Sequence, residues 1–184
     1  LLWLNLVATG IQIVFLGLEK GEPGLLDRPP READAPVFDR RMIEQVAIAG
    51  VTIGGIGFVF YYAALSSGWE QAAARGAVLW LLVWCMNAQT LNSRSETRSL
   101  FRIPLANNPL LIVSVIGMQL LQLAVLAVPP LRDLLSMDRL TASDGMQLAL
   151  GAVIVLAAIE VYKLVRPPPP VAPKRAGRMR QAGG

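Results

Sequence analysis

The fold class this sequence predicts is all-α: a polytopic transmembrane helical bundle of five helices. Three observations carry that prediction. Hydrophobic residues make up 54% of the 184-residue chain and charged residues only 16%, on the apolar side of globular composition. The apolar residues are gathered into long runs, at residues 1–18, 46–65, 72–91, 110–128 and 146–164. Each run is near the ~20 residues that cross ~30 Å of hydrocarbon. Basic residues divide unevenly among the segments between the runs, as they do in membrane proteins of fixed orientation. An amphipathic helix of a soluble core would show a charged face opposite its apolar stripe, and these runs carry almost no charge on any face. They are also too long and too little alternating for the ~10-residue strands of an outer-membrane barrel.

The first run, from Leu1 to Leu18, starts without Met and has no short charged leader before it. The expectation is a span belonging to a longer or truncated chain, not a cleavable signal. Residues 19–41 mix both charge signs with Pro23, Pro29, Pro30 and Pro36, which suits a surface connector and not a continuous helix. The second and third runs are separated only by SSGWEQ, short enough to require an antiparallel hairpin. The loop NSRSETRSLFRIPLANN starts with Asn and Ser where a helix would end. It finishes at Asn-Asn-Pro, so the fourth span is expected to start near Pro109, a residue tolerated in a first helical turn. Residues 165–184 are proline-rich and basic, and read as a disordered tail beyond a membrane domain over residues 1–164.

Fourteen of the 17 Lys and Arg residues fall on one side of this arrangement. Lys20, Arg28, Arg31, Arg40 and Arg41 precede the second span, Arg94, Arg98 and Arg102 follow the third, and Lys163, Arg166, Lys174, Arg175, Arg178 and Arg180 end the chain. Only Arg75, Arg132 and Arg139 lie opposite. The positive-inside rule makes the long loops and the C-terminus cytoplasmic in a multi-pass cell-membrane protein. The net charge of +4 then reflects orientation in the lipid bilayer and not a nucleic-acid footprint. With no histidine and the single Cys85, the chain can build neither a disulfide nor a Cys/His zinc site within itself. Cys85 reads as a small buried apolar residue.

Asn5, Thr9 and Gln12 fall at i, i+4 and i+7 of the first run, which places three polar groups on one helical face. Gly10 sits among them and weakens the helix where carbonyls could turn to a ligand. Such a face reads either as an ion pathway or as interhelical hydrogen bonding, and spacing alone favours the second. Gly50, Gly54 and Gly57 share a face of the second run, with a GxxxG pair that admits close approach of another helix. Asn87 with Thr90, and Gln119 with Gln122, read as interhelical glue. Glu160 lies one turn before Lys163, which favours a local ion pair over an intramembrane functional carboxylate.

The stretches NLVATGIQ and LGLEKGEPGLLDRPPR, followed in order by LNSRSETRSLFRIP, NPLL and VPPLRDLL, resemble the sixth to tenth helices of calcium-pump-like cation-transporting P-type ATPases. The resemblance covers nearly the whole chain. It implies that Asn5 matches an ion-liganding asparagine and that Thr9 stands where calcium pumps place a shared aspartate. Ala8 replaces a liganding threonine, and Met86 stands where a glutamate often contributes. Calcium wants 6 to 8 oxygen ligands, so Asn5, Thr9 and Gln12 would need ligands from the missing N-terminal half. The resemblance also implies that the parent pump uses ATP and Mg through domains upstream, and that this chain alone holds no catalytic residue. The alternative expectation is a self-contained multi-pass scaffold or assembly protein without transport activity.

Overall fold

The computed structural model describes residues 2–21, 39–135 and 141–166. The expected proline-rich connector over residues 22–38 and the expected disordered tail beyond residue 166 lie outside them. Among the described residues, the regular structure is entirely helical. The first run forms α1 (Leu2–Leu4), a π turn (Asn5–Gly10) and α2 (Ile11–Leu16), continuous along the chain. Then come α3 (Arg40–Ser66), α4 (Gln71–Asn92), α5 (Pro109–Ala127), the short α6 (Pro129–Leu134) and α7 (Ala142–Val165).

Apolar runs and helices coincide closely at α4 and α5, while polar caps extend two others beyond their runs. Helix α3 starts at Arg40, ahead of its apolar run, because the Asp39 carboxylate accepts from the Met42 N–H at 2.8 Å. Helix α7 starts at Ala142 behind a reciprocal cap, in which Thr141 and Asp144 each satisfy the other's backbone N–H. Helix α5 starts at Pro109 as the sequence predicts, with Asn108 accepting from the Leu111 N–H at 3.1 Å. The hairpin between α3 and α4 closes at Gly68, φ 80°. There Trp69 N–H reaches back to the Ala64 carbonyl and Gly68 N–H to that of Leu65, each at 3.0 Å, a glycine-terminated helix end.

Three of the described helices are long and apolar enough to cross a membrane: Arg40–Ser66, Pro109–Ala127 and Ser143–Val165. Helix α4 has the length, at 22 residues, but carries Arg75 and the amides of Asn87, Gln89 and Asn92. Arg75 is exposed in the second turn, whereas Asn87 and Asn92 are buried and Gln89 is half-buried where the helix is packed. Helix α4 packs against α7, α3 and the first helix, and α5 lies along α2 and the π turn. Trp80, Leu81 and Cys85 of α4 meet Leu148 and Val155 of α7 and Val125 of α5 in the buried core. A helix enclosed by protein need not be apolar all round.

Among the described glycines, the most crowded by a neighbouring helix is Gly151 of α7, a residue that sequence reasoning passes over. A Cβ there would stand 2.5 Å from Leu81 Cδ1 and 3.3 Å from Ile56 Cγ2, so this glycine seats α3 and α4 against α7. The predicted glycine face of α3 divides. Gly57 is buried, with Val78 Cγ1 4.0 Å from where its Cβ would be, whereas Gly50 and Gly54 are exposed with open space around them.

Candidate ion-path site

The first helix carries its polar residues at a change of helical type. Residues Asn5 to Gly10 form the π turn, and regular α-helix resumes at Ile11. A π turn holds one residue more than an α turn and so rotates the helix on one side of it relative to the other; such turns recur at functional sites. Gly10 makes it possible, because a Cβ at that position would stand 2.9 Å from the Asn5 carbonyl oxygen. That carbonyl also accepts the Thr9 hydroxyl at 3.2 Å.

The rotation separates the three residues that the i, i+4, i+7 spacing puts on one face. Asn5 is exposed, Thr9 is half-buried, and Gln12 is 1% exposed. Gln12 turns into the bundle, where its amide N–H donates to Asn87 Oδ1 and its carbonyl accepts the Thr90 hydroxyl at 2.9 Å. The interhelical hydrogen bonding expected of Asn87 and Thr90 is therefore present, and Gln12 is its third member. Above it, Trp3 Nε1–H donates to Gln122 Oε1 of α5 at 2.6 Å. The Asn87 and Gln122 side-chain nitrogens are buried without a hydrogen-bond partner, so the seam between the first helix, α4 and α5 retains unused polar capacity.

Below the seam lies a second polar layer that local spacing gives no means of finding. Arg94, its side chain 0% exposed, forms a two-pronged ion pair with Glu19, Nε to Oε2 at 3.0 Å and Nη2 to Oε1 at 2.8 Å. The same Nη2 donates to the Pro104 carbonyl at 3.0 Å. Asn108, besides capping α5, donates to the Phe15 carbonyl at 2.7 Å. Farther across, Glu160 and Lys163 form the expected ion pair at 3.6 Å. Both also bond to distant parts of the chain. Glu160 Oε1 accepts the Leu100 N–H at 2.9 Å, and Lys163 Nζ donates to the Asn92 carbonyl at 2.8 Å. Arg41 reaches the Arg166 carbonyl, and Gln45 the Glu96 carbonyl, both at 2.8 Å. The segments predicted to share one side of the membrane thus meet at one end of the bundle.

Among the described residues, no group of three or more His, Cys, Asp or Glu side chains could hold a metal ion. Oxygen at the π turn comes from the Asn5 and Thr9 side chains and from backbone carbonyls, a neutral set suited to completing a cation's shell but not to forming one.

Long apolar helices packed around a buried amide seam are the architecture of a helical membrane-protein domain. The chain belongs to the family described as cation transporting ATPase, C-terminus, whose model matches residues 1–165. It is 31% identical over 165 residues to the calcium-transporting ATPase type 2C member 2 of Mus musculus, covering 89% of this chain and 18% of that protein. It is 30% identical over 165 residues to the calcium-transporting ATPase of Bacillus subtilis, with the same coverage of each. With calcium-transporting ATPase 1 of Lactococcus lactis it shares 24% over 167 residues, 90% of this chain and 19% of that one. The chain spans about a fifth of the length of the curated relatives it matches, and corresponds to the membrane-embedded C-terminal portion of such a pump.

Proposed function

We propose that this chain forms the supporting bundle and part of the ion path of an ATP-driven cation pump, with Asn5 and Thr9 lining the path. The observation that carries the reading is the π turn. It leaves Asn5 exposed and Thr9 bonded to the Asn5 carbonyl, on the segment that matches calcium-transporting relatives. Gln12, its amide engaged on both sides, contributes by holding the helix in register. Remaining ligands come from helices of the missing N-terminal half, and ATP and Mg act on cytoplasmic domains of the same parent protein. The open space around Gly50 and Gly54 supports a further helix packing there.

In this reading all five apolar helices span the bilayer and the C-terminus is cytoplasmic. Helix α4 crosses inside the bundle, shielded from lipid by α3, α7 and the first helix. Cysteines introduced at Ser67 and Arg98, both exposed or partly so, are expected to label from opposite faces, Arg98→Cys from the cytoplasm; the reverse pattern would invert the topology. For the ion path the test is cation-dependent phosphorylation of the full-length protein by ATP. Asn5→Ala is expected to weaken apparent cation affinity, and Thr9→Asp, which restores a carboxylate, to strengthen divalent binding. Unchanged cation dependence in both would move the path elsewhere and leave these residues as packing contacts.

A further inference from the structure

We propose that Glu19 and Arg94 are positioning residues for the ion path. Together with Asn108 they form a two-point clamp by which the loop over residues 93–108 sets the register of the first helix. The inference rests on the pump reading for its effect on cation affinity, but the clamp itself stands on geometry alone.

The first helix ends at Leu16 and is prolonged by a tight turn, in which Leu18 N–H reaches the Phe15 carbonyl at 3.1 Å and Glu19 N–H the Leu16 carbonyl at 3.0 Å. Glu19 is thereby fixed to the helix end rather than to the connector beyond it. Arg94 is fixed just as closely to α4. Ser93 N–H caps that helix through the Gln89 carbonyl at 2.9 Å, and Arg94 N–H turns back to the Leu91 carbonyl at 3.4 Å. A guanidinium fork gripping both carboxylate oxygens defines orientation as well as distance. At the far end of the loop Asn108 holds the Phe15 carbonyl, a last-turn acceptor. Pro104 takes a further bond from Arg94, closing the loop between its two grips. Ser95 stiffens it by accepting from the Thr97 and Arg98 N–H groups at 3.2 and 2.9 Å.

Two turns above Glu19, Gln12 meets Asn87 and Thr90. Sliding or rotating the first helix past α4 must break the Gln12, Phe15 and Glu19 contacts together. Beyond Gln12 lies the π turn with Asn5 and Thr9, whose placement is inherited from the clamp.

The test has two readouts in the full-length protein. The first is independent of pumping: disulfide formation between Gln12→Cys and Asn87→Cys, in a Cys85→Ala background. It is expected to be fast with the clamp intact and several-fold slower with Arg94→Ala or Glu19→Gln. The second is the calcium concentration giving half-maximal phosphorylation by ATP. It is expected to rise roughly two- to thirtyfold in the same variants, the range of measured long-range couplings, with maximal phosphoenzyme per folded protein retained. Arg94→Lys, which keeps the charge but loses the fork, is expected to fall between. The exchange Glu19→Arg with Arg94→Glu should recover most of the affinity, and Arg98→Ala, in the same loop, should change neither readout. Unaltered cross-linking in the single variants and in Arg94→Lys overturns the clamp. Slower cross-linking with unaltered calcium dependence overturns its role in the ion path, as does loss of folded protein with unaltered calcium dependence in what remains. A wild-type protein that forms no cation-dependent phosphoenzyme overturns the pump reading, while cross-linking still decides the clamp.

Discussion

The two halves of the first helix are held very differently. From Ile11 to Glu19, three sets of contacts fasten it to α4 and the loop behind it: Gln12 to Asn87 and Thr90, the Phe15 carbonyl to Asn108, and Glu19 to Arg94. From Asn5 to Gly10 the backbone is a π turn, and the Thr9 hydroxyl bonds to the Asn5 carbonyl at 3.2 Å, within the same turn. The lower half is therefore held by side-chain bonds at three positions, whereas the π turn itself packs against α4 and α5 with its side-chain bond kept within the turn, Trp3 bonding to Gln122 just before it. In the proposed ion path the lower half would serve as the fixed frame from which the ligands of the π turn hang.

The largest expected effect comes from breaking the frame at its most buried charge. Arg94→Ala leaves the Glu19 carboxylate, 11% exposed at the side chain, without its fork, and losing one partner of such a pair costs about 3–5 kcal/mol. The thermal unfolding midpoint of the detergent-solubilised protein should drop accordingly. A drop no larger than that of Arg98→Ala would mean the pair is solvated and the two halves are not distinguished by it.

Next in size is Gln12→Leu. It removes two interhelical contacts and strands Asn87 Oδ1, although Thr90 keeps its bond to the Met86 carbonyl at 3.0 Å. Unsatisfied buried groups cost about 1–3 kcal/mol each, while measured polar contacts in membranes average about 0.6 kcal/mol, so about 1–2 kcal/mol is expected between those two limits. Gly10→Ala should separate stability from function. Alanine gains about 1 kcal/mol of helix propensity over glycine, offset by the 2.9 Å approach of its Cβ to the Asn5 carbonyl. The midpoint should move little, while in the proposed reading cation-dependent phosphorylation shifts because the π turn must rearrange to clear the new Cβ from the Asn5 carbonyl. If cation dependence is also unchanged, the turn is incidental to the path.

The parts of this contrast that were legible in sequence are those written in local pattern. Apolar runs mark where helices lie because burial and lipid both demand them. Asn108-Pro109 marks a helix start because both residues act within one turn, and Glu160 and Lys163 pair because they are neighbours on α7. The features that sequence reasoning missed are non-local. Glu19 and Arg94 sit 75 positions apart, each in a charged loop where a solvated residue is the ordinary expectation. Gly151 is one small residue in an apolar run, and only the packing of Leu81 and Ile56 shows why it must be small. The i, i+4, i+7 pattern of Asn5, Thr9 and Gln12 assumed about 3.6 residues per turn throughout, and the π turn violates that assumption at the residues of interest.

The smallest expected effect is at Thr9, and it bears most directly on the contrast. The Thr9 hydroxyl makes one long bond to a carbonyl four residues back, a local contact that adds little to a helix. Thr9→Val keeps the shape and removes the hydroxyl, so stability should change by no more than about 0.6 kcal/mol, the average for a membrane hydrogen bond. Apparent cation affinity should nevertheless fall, because the lost group is an oxygen that a bound cation would recruit. A stability loss as large as that of Gln12→Leu would show that the upper half is clamped after all. Unchanged stability with unchanged affinity would leave Thr9 outside the path and place the burden on Asn5 and the carbonyls of the π turn.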